Sequence, residues 1–179
     1  MEDYAYVLDV LPEGRPDSKR RFRREPVVYG LGIEEFKIFD MKPITGAAIN
    51  IGDRCYIGKE TEERTQIDHV RARVNYVELT HTAQSELGFV LDEIVKENEE
   101  KFIQFFNHAG PISRRYHSLE LIPGLGKKTM NLIVSNRPYS NFKEMEEKIP
   151  NFRSPEKYIS QRIESEIKES DQKYRLFVR

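Results

Sequence analysis

An α+β fold is predicted: a small β-barrel, one long connecting helix, and an all-α C-terminal domain of paired helical hairpins. Three observations predict it. Apolar residues alternate with period two up to about Thr80, and from Ala83 they recur at helical spacing. Beyond Gly110 and Pro111, short helical stretches are joined by tight turns rich in glycine and proline. The expected organisation is a barrel over 1–80 carrying a basic insertion over 12–26, a connecting amphipathic helix over 81–109, a hairpin domain over 110–170, and a tail over 171–179.

Five short runs supply the strands: Tyr4 to Leu11, Pro26 to Gly32, Glu35 to Met41, Asp53 to Gly58 and Gln66 to Leu79. Gly, Pro, Asp and Asn punctuate them, as in a small closed barrel. In the last run Val70, Ala72, Val74 and Tyr76 share one face, read as core, and His69, Arg71, Arg73 and Asn75 share the other, which is polar and part basic.

The chain has 179 residues and a formal net charge of −1 with 33% charged residues, so any surface for a polyanion must be local. Such concentration occurs between the first two strands. There Arg15, Lys19, Arg20, Arg21, Arg23 and Arg24 face only Glu13, Asp17 and Glu25, with Phe22 among them. A phosphate-tracking arm with a ring for base stacking has this composition, and Arg71 and Arg73 extend the basic surface. Cys55, the one cysteine, excludes an internal disulfide and is read as a small buried hydrophobe. The start "MEDYAYVLDVL" lacks the basic and continuous apolar character of a signal peptide, and no later run reaches the ~20 apolar residues of a membrane span. A cytoplasmic protein is expected.

From Ala83 to about His108, the residues Leu87, Val90, Leu91, Ile94, Val95, Phe102, Phe105 and Phe106 form one stripe, predicting a single long helix that packs the barrel against the C-terminal domain. Helical patterning resumes at Tyr116, Leu119 and Ile122, breaks at "PGLG", and restarts with Met130, Ile133 and Val134. In that break Gly124 is free to take positive φ, and Gly126 lets backbone pass close to another surface. A helix starting at Lys127 aims its unpaired N–H groups and positive dipole end at the same point. Lys127 and Lys128 add charge, and Thr129 a hydroxyl. An anion suits such a turn, and nothing in it reads base edges.

"LELIPGLGKKTMNLI" resembles the helix-hairpin-helix motif, with Leu119, Ile122, Gly124, Leu125 and Gly126 at its characteristic positions. The resemblance implies sequence-independent contact to a nucleic-acid phosphate, helped by a monovalent cation on hairpin carbonyls; no other cofactor or metal is expected. Met130 departs from it, standing where a small residue is usual. A degenerate second copy comes next: Phe142, Met145 and Ile149 on one helix, the turn "PNFRS", then Ile159, Ile163 and Ile167. Ser154 and Pro155 mark its second helix as cap and first residue. Asn151 and Arg153 replace the hairpin glycines, so this copy is expected to complete the core rather than to grip phosphate.

Base-excision glycosylases also carry this motif, with a lysine at the position of Lys128 in lyase-competent members and an essential aspartate downstream. Here that region offers Glu144, Glu146 and Glu147, on a helix read as solvated, and no aspartate. Phosphate-loop, zinc-hydrolase and serine-hydrolase motifs are lacking, and His69, His81, His108 and His117 are dispersed without metal spacing. No enzyme is predicted.

As a whole, with "DYAYVLDVLPEG", "INIGDRCYIGK" and "HSLELIPGLGKKT" as its marks, the chain resembles an uncharacterised archaeal family, domain of unknown function 655, whose members are described as predicted RNA-binding proteins. Its barrel resembles an oligonucleotide-binding or S1-like fold, with Tyr6, Phe22, Tyr29, Tyr56 and Tyr76 as candidate stacking rings. The expected function is non-catalytic nucleic-acid binding, RNA in preference to DNA. A DNA-binding or repair accessory factor, or an adaptor in a transcription or translation complex, is the alternative.

Overall fold

The computed structural model describes residues 1–15 and 25–179. The chain divides into two compact units, Met1–Val90 with Ile167–Arg179, and Leu91–Glu166. Of the basic insertion, Lys19, Arg20, Arg21, Phe22, Arg23 and Arg24 lie outside the described residues.

The first unit is built on an antiparallel sheet of β1 (Tyr4–Leu11), β2 (Val27–Gly32), β3 (Ile38–Pro43), β4 (Arg54–Tyr56) and β5 (Ile67–Val74), ordered β4-β1-β2-β3-β5. Four strands fall inside runs marked by period-two alternation, and β3 starts inside one and extends two residues past it, to Pro43. The sheet is a curled half-barrel rather than the closed barrel expected. β4 and β5 are its two edges, and because β4 opposes β1 and β5 opposes β3, while β1 and β3 both oppose β2, these edges run the same way. Each strand contributes to the core under the sheet, with Ala5 and Val7, Val28, Met41, Cys55 and Ile67 each at most 1% exposed.

On β5 the expected two-faced alternation fails. Asp40 pairs with Ala72 and Met41 with Val70, so Arg71 is an extra residue, a β-bulge, and Ala72 is exposed rather than core. The end of the tail returns to this unit, where the Arg179 N–H donates to the Glu35 carbonyl at 3.1 Å and Val178 is buried.

The predicted single helix over 81–109 is two, α1 (His81–Glu97) and α2 (Glu99–His108). Asn98 separates them. Its ψ of 35° leaves the helix, and its side-chain amide donates to the Ile94 carbonyl at 2.9 Å, closing α1. The second unit then continues with a 3₁₀ turn over Ser118–Leu121, α3 (Lys127–Ser135), α4 (Phe142–Lys148) and α5 (Pro155–Lys168), the last running on into the first unit's share of the chain. Around Tyr116, Leu119 and Ile122 this single 3₁₀ turn forms in place of the expected α-helix, capped by His117, whose Nδ1 accepts from the Leu119 N–H.

Phe102, Phe106, Leu119, Ile133, Met145 and Phe152 fill this core, with Phe106 and Phe152 edge to face at 6.5 Å. Polar clamps fix the connections. Asn107 donates to the Tyr139 carbonyl and accepts from its N–H, both at 2.8 Å, and the Tyr139 hydroxyl donates to the Ile133 carbonyl at 2.6 Å. Burial pushes that hydroxyl up to about 12.

Candidate nucleic-acid interface

Two turns in the second unit share one local sequence logic. Ile122-Pro123-Gly124-Leu125-Gly126 and Ile149-Pro150-Asn151-Phe152-Arg153 each place their third residue in the left-handed region, Gly124 at φ 84° and Asn151 at φ 59°. Asn tolerates this conformation better than other residues with a Cβ. In both turns the fourth residue's N–H donates back to the isoleucine carbonyl, Leu125 to Ile122 at 3.3 Å and Phe152 to Ile149 at 3.4 Å. They differ by one residue. α3 starts three residues after Gly124, whereas Ser154, at φ 52°, is inserted before α5 starts at Pro155.

The first turn presents the groups expected of it. Gly126 stands at the N-cap of α3 in extended conformation, and Gly124, Gly126, Lys127 and Lys128 are exposed, with Leu125 and Thr129 half-buried beside them. The second turn faces the same space. An open cleft of about 390 Å³ is lined by Pro123 and Gly124 from the first turn, by Arg153 from the second, and by Lys157, Tyr158 and Gln161 from α5. A Cβ on Gly124 would come within 3.2 Å of the Tyr158 ring, and that ring is stacked on Phe152 at 5.0 Å. Lys127, Lys128, Arg153 and Lys157 form no ion pair among the described residues. Of these, Arg153 and Lys157 line the cleft, and unpaired cations on a concave surface are prepared for an external anion.

The basic residues expected on the sheet are engaged internally. Arg15 donates to the Tyr29 hydroxyl and to the Glu78 carbonyl at 2.5 Å. The bulge at Arg71 aims its guanidinium at Asp40 Oδ1 (3.0 Å), Glu25 Oε2 (3.2 Å) and the Pro26 carbonyl (2.7 Å). Arg73 donates to the Arg179 carbonyl at 3.1 Å. Of the candidate stacking rings, Tyr6 and Tyr29 are buried, Tyr76 lies under Lys168, and Tyr56 is edge-on to Tyr4, over which Arg54 sits at 3.9 Å. Cys55 is buried, and burial pushes its thiol up to about 11, with Asp53 adding to the effect.

Glu144 and Glu146 are structural rather than merely solvated. Lys148, at 2.8 Å, and the Ser140 N–H hold the Glu144 carboxyl down to about 2, while Glu146 accepts from the Ser154 N–H at 2.8 Å and so shapes the second turn. Sequence reasoning passed over Arg114 and Arg115. They project from a small loop in which the Ser113 hydroxyl accepts from the Arg115 and Tyr116 N–H groups, both at 3.2 Å, and they are exposed without an ion pair among the described residues. The signal was the pair of arginines beside an aromatic in "SRRY". No group of three metal-ligating side chains occurs among the described residues, and no helix there is long and apolar enough to cross a membrane.

A curled antiparallel sheet joined in one chain to a unit of repeated helical turns around a cationic cleft defines the class of molecule. The chain belongs to the family described as protein of unknown function (DUF655), whose model matches residues 1–179. It is similar to the uncharacterized protein MJ0038 of Methanocaldococcus jannaschii, 43% identical over 182 residues, covering 99% of this chain and 80% of that one. The fold is similar to the crystal structure of Af1531 from Archaeoglobus fulgidus, with a TM-score of 0.90 and 40% identity over 99% of this chain and all of that one.

Proposed function

We propose that this protein is a non-catalytic nucleic-acid-binding protein whose first helical turn grips a phosphate of RNA. The observation that carries the reading is a first turn followed at once by the exposed Lys127 and Lys128, beside a cleft that its Pro123 and Gly124 share with Arg153 and Lys157, none of the four cations in an ion pair among the described residues. The turn geometry, with Gly124 in the left-handed region and α3 starting at Lys127, supports the helix-hairpin-helix resemblance. Exposed backbone N–H groups at a helix start, flanked by lysines, hold a phosphate without reading sequence. RNA is chosen over DNA on the family resemblance.

A monovalent cation on the hairpin carbonyls, as the resemblance implies, would sit on carbonyls of the turn itself; the Leu121 carbonyl just before it is engaged by the Arg162 guanidinium at 3.0 Å. For the sheet, an oligonucleotide-binding or S1-like role rests on the β1-β2-β3 meander flanked by β4 and β5, and on the exposed Arg54 stacked over Tyr4. With Arg15, Arg71 and Arg73 occupied, the second unit carries the stronger claim.

Fluorescence anisotropy with a labelled single-stranded RNA, with duplex DNA as competitor, tests this. Lys127→Ala with Lys128→Ala is expected to weaken RNA binding about tenfold at moderate salt, since each lost phosphate contact removes counterion release. Unchanged affinity would remove the hairpin from the interface. Equal affinity for duplex DNA would turn the reading towards a DNA-binding accessory factor.

A further inference from the structure

The cleft between the turns is larger and chemically richer than a phosphate grip requires. Its volume of about 390 Å³ falls within the range of small-molecule sites, about 300 to 1,000 Å³. A phosphate needs donors only. This cleft also presents the Tyr158 ring and Gln161, whose carboxamide offers an acceptor as well as donors. We propose that the cleft is a pocket for one unstacked nucleotide, with its phosphate on Arg153 and Lys157, its base against Tyr158, and a base edge read by Gln161. This deepens the nucleic-acid reading and rests on it.

The placement is set by local structure. Lys157 and Gln161 are four residues apart on α5, and Tyr158 and Gln161 three apart, so the cation, the ring and the amide share one side of the helix at neighbouring levels. Arg153 precedes the helix start and enters the same cleft. Stacking on Phe152 fixes the Tyr158 ring from within the unit, and Gly124 admits the ring edge to a distance that a Cβ would crowd. A ring held in this way is prepared for a base at little entropic cost. Recognition of a single unstacked nucleotide also implies preference for single strands, because a base within a duplex is paired and stacked.

Uridine monophosphate, inorganic phosphate and uridine are three probes that separate the parts. The full chain, labelled with ¹⁵N, would be titrated with each while the Gln161 side-chain amide is followed, assigned by its loss in Gln161→Ala. Saturable shifts with the mononucleotide, at least about tenfold tighter than with phosphate or uridine, are expected from linking two weak contacts in one ligand. Arg153→Ala with Lys157→Ala, both exposed residues, should weaken the mononucleotide about tenfold while leaving the circular dichroism spectrum unchanged. Phosphate shifting the cleft as strongly as the mononucleotide would overturn the proposal in favour of an anion site alone. No response to the mononucleotide, with RNA still bound in the anisotropy assay, would overturn it while sparing the phosphate grip. Mononucleotide binding without RNA binding would support the pocket and remove the polymer reading.

Discussion

Gly124 is where one atom most directly tests the interface. At φ 84° a side chain is strained, and the added Cβ would lie 3.2 Å from Tyr158. Gly124→Ala is therefore expected to lower stability by about 1–2 kcal/mol by denaturant titration; a change near zero would show that the turn relaxes freely. Asn151, in the equivalent place, has the milder requirement that an Asn can meet. His117 gives a second residue-scale prediction. Its Nδ1 accepts from the Leu119 N–H at 3.1 Å, which requires the neutral ring, and burial, reinforced by Arg137, lowers its pKa below the usual 6.5. A depressed histidine is protonated more readily in the unfolded chain, so its contribution is present at neutral pH and declines as pH falls below about 6.5. The melting temperature should drop over that window and drop less in His117→Asn, which keeps an acceptor but does not titrate there; identical pH profiles would refute this. At this scale Gly124 and Lys127 were legible because glycine and charge announce themselves locally. The fates of Arg15 and Arg71 were not, since their partners Tyr29 and Asp40 are 14 and 31 residues away.

The two turns behave as one element used twice, and the second is the one locked into the core. Phe152, 1% exposed, packs edge-on to Phe106 and stacks on Tyr158, whereas its counterpart Leu125 is only half-buried. Phe152→Ala should cost about 3–5 kcal/mol and disturb the cleft through Tyr158. Leu125→Ala, with less surface to lose, should cost clearly less. Equal losses in thermal melts would contradict the asymmetry. Element type was read well where period was the signal: each strand candidate holds one strand, four of them whole and β3 but for Lys42 and Pro43, and α3 and α5 begin at Lys127 and Pro155 as expected. It failed where one polar residue decided the outcome. Asn98 lies one turn beyond Ile94 and one before Phe102, on the apolar stripe itself, and its own side chain ends α1 there. The closed barrel failed for a different reason, because alternation reports which face of a strand is buried and carries nothing about whether the edge strands β4 and β5 pair with each other.

At the scale of the whole molecule, a net charge of −1 gives little long-range attraction for a polyanion, so affinity must come from contacts made at close range. Such contacts can be counted by salt. If Lys127, Lys128, Arg153 and Lys157 each neutralise one phosphate of a single strand, the logarithm of the binding constant should fall with the logarithm of salt at a slope of roughly −3. Replacing both residues of either pair by alanine should bring the slope to about −1.4, and replacing both pairs should bring it near zero. That additive pattern distinguishes a single cleft served by two turns from a first turn acting alone, for which only the Lys127 and Lys128 pair would change the slope. A slope that stays near −3 in all three variants would move the interface elsewhere, to Arg114 and Arg115 or to the arginine-rich segment between β1 and β2. Because each outcome assigns the phosphates to a different set of named side chains, the salt series decides whether the repeat of the turn, present in the sequence as "IPGLG" and "IPNFR", is a repeat of function or only of fold.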